Sequence, residues 1–228
     1  MRKVFSAAIA VLFVASANAQ VLGQVTFSGG TTFTSFGFFA DRDILIRLSD
    51  DGRILEWGHE VMATRSNYYA PNLQPYLGRV DYYGQEAADS ASRGKIKSIG
   101  TCVFTYYGAN EMEHKVGKIR TMGTMLFDYY SNYENASLKG KLRNIGTRAV
   151  EYYSSVENEA IRGKIRAIGS TPITYFSSFD DKLIRGKVKS IGAINFVWYT
   201  SLEKIGYGGS LKSGNYRQSI SGVTYILQ

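Results

Sequence analysis

The chain has 228 residues, 44% of them hydrophobic, a formal net charge of +8 and a single cysteine, Cys102. One cysteine excludes an internal disulfide, so stability must come from packing; Cys102, between Thr101 and Val103, reads as a small buried hydrophobe. The modest positive charge suits solubility and favours acidic partners: an anionic glycan, lipid headgroups or a negative protein surface.

At the start of the chain, Arg2 and Lys3 precede an apolar run over residues 4–15 that is too short to cross a bilayer. Ala17 and Ala19 then place small residues where a signal peptidase reads. Residues 1–19 are expected to be a secretory signal cut before Gln20, which removes two positive charges and leaves +6. The expected address is periplasmic or extracellular, in a bacterial envelope, with no nucleic acid as partner and no transmembrane segment in the mature form.

Residues 20–93 are expected to form an N-terminal cap with degenerate repeats. Residues 21–39 are rich in Phe, Thr, Ser and Gly. Residues 44–48 and 53–57 flank Ser49-Asp50-Asp51-Gly52 as a hairpin. Two loose copies of the later motif lie at residues 52–58 and 78–84.

From Gly94 the chain becomes periodic. Gly94-Lys95-Ile96-Lys97-Ser98-Ile99-Gly100 returns at residues 117–123, 140–146, 163–169 and 186–192, each time 23 residues on. Twelve residues after each opening glycine stands Tyr106, Tyr129, Tyr152, Tyr175 or Trp198, followed by Tyr107, Tyr130, Tyr153, Phe176 or Tyr199. An acid recurs at Glu111, Glu134, Glu157, Asp180 and Glu203. Two short β-branched and aromatic runs separated by glycine predict two strands per repeat over residues 94–208. Residues 209–228 are expected to add C-terminal cap strands; either end could cover the apolar face.

Gly-Thr at 100–101, 123–124 and 146–147 suits a two-residue type II′ turn. That turn would set Lys95 opposite Tyr106 and Lys97 opposite Phe104, mixing charge into the apolar face. A three-residue turn keeps the faces apart, setting Ile96 against Tyr106 and Lys97 against Thr105, and is the register expected from pattern. Two basic columns repeat with the motif. Stacked about 4.8 Å apart in a solenoid, they would repel by about 0.9 kcal/mol per pair in water; two strands apart in a meander, about 0.4. The expected fold class is therefore all-β, tandem 23-residue hairpin repeats in an extended, twisted antiparallel sheet, with a β-solenoid as the alternative.

At the Gly-Lys-Ile-Lys/Arg and Tyr-Tyr columns, residues 94–208 resemble the β-hairpin repeat families, chiefly MORN-type and YD-type repeats. The resemblance departs from the MORN pattern in two ways: the Gly-x-Gly centre is missing, and the tyrosine pair sits at another phase. It implies an extended twisted sheet with a scaffolding or binding role, and it transfers no functional residue.

Catalytic signatures are absent from the sequence. His59 and His114 have no second histidine or cysteine at ligand spacing, so neither metal nor cofactor is expected. There is no phosphate-cradling glycine loop and no Gly-x-Ser-x-Gly elbow. The strands are also shorter than the 9–11 residues or so of an outer-membrane barrel. Two functions lead, neither enzymatic, with an enzyme a distant third because an all-β repeat can host a site. One is a structural or interaction protein of the envelope, with self-association and an envelope protein as partner. The other is a binding module for anionic glycan. Its candidate residues are the aromatics Tyr107, Tyr130, Tyr153, Phe176 and Tyr199 beside Lys97, Arg120, Arg143, Arg166 and Lys189.

Overall fold

The computed structural model describes residues 20–40, 43–61, 72–134, 136–203 and 206–228; the expected signal over 1–19 lies outside the described residues. The N-terminal segment supplies β1 (Val21–Ser28), β2 (Thr32–Ala40), β3 (Ile44–Leu48), β4 (Ile54–Glu60) and β5 (Leu73–Pro75). The next copy, at the edge of the array, supplies β6 (Val80–Tyr82). Hairpins follow: β7 (Ile96–Ile99) with β8 (Cys102–Tyr106), β9 (Ile119–Met122) with β10 (Met125–Tyr129), and β11 (Leu142–Ile145) with β12 (Arg148–Tyr152). Then come β13 (Ile165–Ile168) with β14 (Thr171–Tyr175), and β15 (Val188–Ile191) with β16 (Ile194–Asn195). The chain ends with β17 (Val197–Trp198), β18 (Leu211–Ser213), β19 (Arg217–Ile220) and β20 (Val223–Leu227). No helix among the described residues is long and apolar enough to cross a membrane.

The strands β6 to β16 form one eleven-stranded antiparallel sheet of consecutive hairpins, the meander and not the solenoid. Both chain ends cover it. They combine into a seven-stranded sheet, β19-β20-β1-β2-β3-β4-β5, in which β20 runs parallel to β1. Phe27, Phe36, Phe38, Ile46 and Leu48 share one buried core with Ile99, Phe104, Phe127, Val150 and Ile173. Cys102 belongs to it as a buried thiol. Phe38 meets Phe127 edge-on at 5.5 Å between centroids, and Phe27 meets Tyr175 at 6.5 Å. The smaller sheet also curls. Its order separates β19 from β4, yet Arg217 makes a bidentate pair with Glu60 at 2.8 and 3.0 Å, and Gln24 donates to the same carboxylate at 2.8 Å.

The hairpin register differs from the one expected. Ile99 pairs with Cys102 and Ser98 with Val103, so the turn has two residues, not three. Gly100 takes φ 58° and its counterparts Gly123, Gly146, Gly169 and Gly192 take 55–58° while the residue after each stays negative, the signature of type II′. The three-residue register rested on unbroken alternation along each strand, and a bulge breaks it. Between strands of successive repeats, Thr105 pairs with Thr121 but Tyr106 with Ile119, leaving Arg120 as an extra residue. The same shift recurs between β10 and β11, β12 and β13, and β14 and β15. A bulge lets two residues three apart face inward together. Hence Ile119 with Met122, and Leu142 with Ile145, are all buried.

Candidate functional site

The two basic columns turn opposite ways, which the separated-face reading did not allow. The first lies half-buried between the sheets. Lys95, Lys118, Lys141 and Lys164 each hold Nζ 5.1 Å from the ring centre of Tyr106, Tyr129, Tyr152 and Tyr175, and Lys187 sits 4.4 Å from Trp198. Charge enters this face because the ring quadrupole and two sets of carbonyls replace the lost water. One set opens the next repeat: Lys118 donates to Gly140 O at 2.9 Å, Lys164 to Gly186 O at 2.8 Å, and Lys95 to Gly117 O. The other belongs to the hairpin tips of the smaller sheet. Lys118 donates to Asp51 O at 2.9 Å, Lys164 to Thr31 O at 2.5 Å, and Lys187 to Gly29 O. Lys141 pairs with the Asp50 carboxylate at 2.9 Å. Burial lowers the pKa of Lys95, Lys118 and Lys187. For Lys164, burial and then the Lys187 charge bring it down to about 8.

Two clefts open along this seam. One, of about 360 Å³, is lined by Lys95, Lys118, Tyr106, Asp51 and Arg53. The other, of about 300 Å³, is lined by Lys141, Lys164, Tyr152, Asp50 and Arg162.

The tyrosine pairs are internal fastenings. The first ring donates within its own repeat in four of the five copies: Tyr106 to Ile96 O at 2.8 Å, Tyr129 to Ile119 O and Tyr175 to Ile165 O at 2.9 Å, with Trp198 Nε1 serving Val188 O at 2.8 Å, whereas the Tyr152 hydroxyl is buried without a partner among the described residues. The second reaches forward one repeat: Tyr107 to Phe127 O at 2.8 Å, Tyr130 to Val150 O at 2.9 Å and Tyr153 to Ile173 O at 3.1 Å. Edge-to-face contacts join the rings across repeats, Tyr107 to Tyr129 at 6.2 Å, Tyr130 to Tyr152 at 5.9 Å and Tyr153 to Tyr175 at 6.0 Å. The degenerate copy keeps the fastening, since Tyr83 donates to Phe104 O at 2.8 Å. Of the aromatics expected to stack on sugar, Tyr107 is 8% exposed, and Tyr130, Tyr153, Phe176 and Tyr199 are half-buried. Burial raises the pKa of Tyr107, Tyr130 and Tyr153.

The second basic column is the bulge residue itself. Lys97, Arg120, Arg143, Arg166 and Lys189 are all exposed. Arg120 lies 5.8 Å from the Tyr107 ring centre and Lys189 5.7 Å from that of Phe176. Arg143 pairs with Glu134 at 2.6 Å. The structure thus brings candidate cations and aromatics together, with cations over two of the rings.

Three acids of the column cap the loops between repeats. Glu134 accepts from Ser131 N at 3.1 Å, Asp180 from Ser177 N at 2.6 Å and Glu203 from Thr200 N at 2.8 Å. The residue before each acid was missed in the sequence. Tyr133 is 99% exposed, Val156 92%, Phe179 92% and Leu202 93%. Their signal was present: an apolar residue at the repeat interval inside a polar loop, where Asn110 stands in the first copy.

His59 rests its ring on Tyr76 and meets Asp43 O at 3.0 Å; His114 lies in the loop before β9. Among the described residues, no three His, Cys, Asp or Glu side chains gather as a metal ion would require. No protein-family model, curated protein or solved structure matches the chain.

Proposed function

We propose that the chain is an exported, non-enzymatic structural or interaction protein of the cell envelope, whose array serves as a stiff platform. The supporting observation is the fastening of the first three repeats each to the next by a lysine and a tyrosine that both donate to its backbone, and of the fourth to the fifth by Lys164 alone, Phe176 having no hydroxyl. Side chains committed to carbonyls are unavailable for chemistry, whereas a regular, stiff edge is what a scaffold needs. Residues 1–19 support export by composition. The test is expression in a bacterial host, with N-terminal sequencing of the envelope fraction and cross-linking in intact cells. A chain beginning at Gln20 and joined to a discrete envelope partner or to itself is expected. A full-length chain in the cytoplasm, or one that cross-links to nothing, would contradict the reading.

A second reading is kept by the exposed bulge column: the five cations at a common interval would hold an anionic glycan. The half-buried rings would contribute edges, not faces. Calorimetry with an anionic polysaccharide in low salt tests it. Binding that weakens with salt and with Arg166→Ala supports it, and absence of heat removes it.

A further inference from the structure

Bare apolar side chains are ordinary when scattered; four at one interval are not. Tyr133, Val156, Phe179 and Leu202 each top an inter-repeat loop and are at least 92% exposed. The loops of Tyr133, Val156 and Phe179 leave the same end of the eleven-stranded sheet, because the tight turns occupy the other; Leu202 stands in the next loop along the chain, between β17 and β18, which form a two-stranded sheet of their own. Equivalent residues are two strands apart, so the tips form a ridge with a step of about 9.6 Å. Beneath Tyr133, Phe179 and Leu202 the turn is fixed by an acid that accepts from the backbone at 2.6–3.1 Å, so these tips are held in place.

The outward face of the same sheet carries a matching row. Val103, Leu126, Ala149 and Pro172 are exposed there, again one per repeat, with the bulge cations as a parallel row. Ridge and face therefore share one step, as two surfaces of the same repeat must. Charge agrees: Glu157 beside a tip and Arg166 on the face are exposed and make no ion pair among the described residues.

We propose that the loop-tip ridge of one molecule docks on the outward apolar and basic face of a second copy of this chain. The contact is heterologous: each copy keeps a free ridge and a free face, so it propagates instead of closing. This rests on the scaffold reading, and its failure alone would leave that reading with a different partner.

The experiment is sedimentation velocity of the purified chain over a wide concentration range, with two surface variants. Val156→Ser/Phe179→Ser removes the ridge; Leu126→Asp/Arg166→Glu removes the face. All four positions are exposed, and circular dichroism checks that both variants keep the sheet. The wild type is expected to form species larger than dimers, and each variant to associate at least tenfold more weakly. An equimolar mixture should recover a dimer and nothing larger, because one ridge and one face survive. A wild type that stays monomeric, variants that associate unchanged, or a mixture that stays monomeric would each overturn the proposal. Loss of phosphatidylcholine-vesicle binding in the ridge variant, with no self-association in the wild type, would assign the ridge to lipid and also overturn it.

Discussion

Lys118 and Lys97 show how one residue type plays two parts. Lys118 donates to Asp51 O and Gly140 O, each at 2.9 Å, and covers the Tyr129 ring. Lys118→Met keeps the stem but strands both carbonyls, and should cost about 2 kcal/mol in urea denaturation. Lys97→Met, on an exposed bulge, should stay within about 0.5 kcal/mol. Protonation adds a further check. Lys164 is lowered to about 8 in the fold, against about 10.4 unfolded. Between those values the unfolded chain binds the extra proton, so this group's penalty is full below pH 8 and is relieved as pH rises. The neutral amine still donates, so the clamp on Thr31 persists. Tyr129 and Tyr175 act in the other direction, since burial raises both well above 10. Their contribution is present below about pH 10 and is lost above it, as the unfolded phenols ionise first. The urea midpoint should therefore climb from pH 8 and fall beyond about pH 10, and Lys164→Met should flatten the climb.

At the scale of the element, the two-residue turn and the bulge set the geometry together. Gly169 holds φ 57° at the first turn position, and a methyl group there would meet nothing closer than 3.6 Å. Gly169→Ala should therefore report backbone strain alone, about 1–2 kcal/mol by denaturant unfolding. Gly52 should cost more, because its φ is 80° and a Cβ would lie 2.3 Å from the Tyr129 hydroxyl. The strands, the hairpin order and the inward first tyrosine could be read from the repeat. The register could not be read by alternation, since that rule assumes an unbroken pleat. The missed clue was the three-residue spacing of Ile96 with Ile99 and of Ile165 with Ile168, which a flat strand cannot turn to one side. The half-buried lysines were legible as a column but not as an inward one. Their compensation comes from carbonyls 22 residues on and from hairpin tips as far as 158 residues away.

On the scale of the whole molecule, the array is one layer and the chain ends are the other. Nothing local announces that β20 will lie parallel to β1, some 200 residues earlier, or that Arg217 will reach Glu60, so the second layer was not legible beyond its strand content. Glu60→Gln should destabilise by about 3 kcal/mol, because Arg217 would remain buried without its carboxylate. Its measured unfolding should stay cooperative, as the two sheets share one core. The rest of the account depends on the tyrosine columns being internal. Spectrophotometric titration of the phenols, followed alongside the far-ultraviolet signal of the sheet, tests this most directly. Burial raises the pKa of Tyr106, Tyr107, Tyr129, Tyr130, Tyr152, Tyr153 and Tyr175. These seven of the 17 phenols should therefore ionise only as the sheet signal is lost, so that roughly two-fifths of the absorbance change arrives with it. Ionisation of all 17 tyrosines with the sheet still intact would contradict the account.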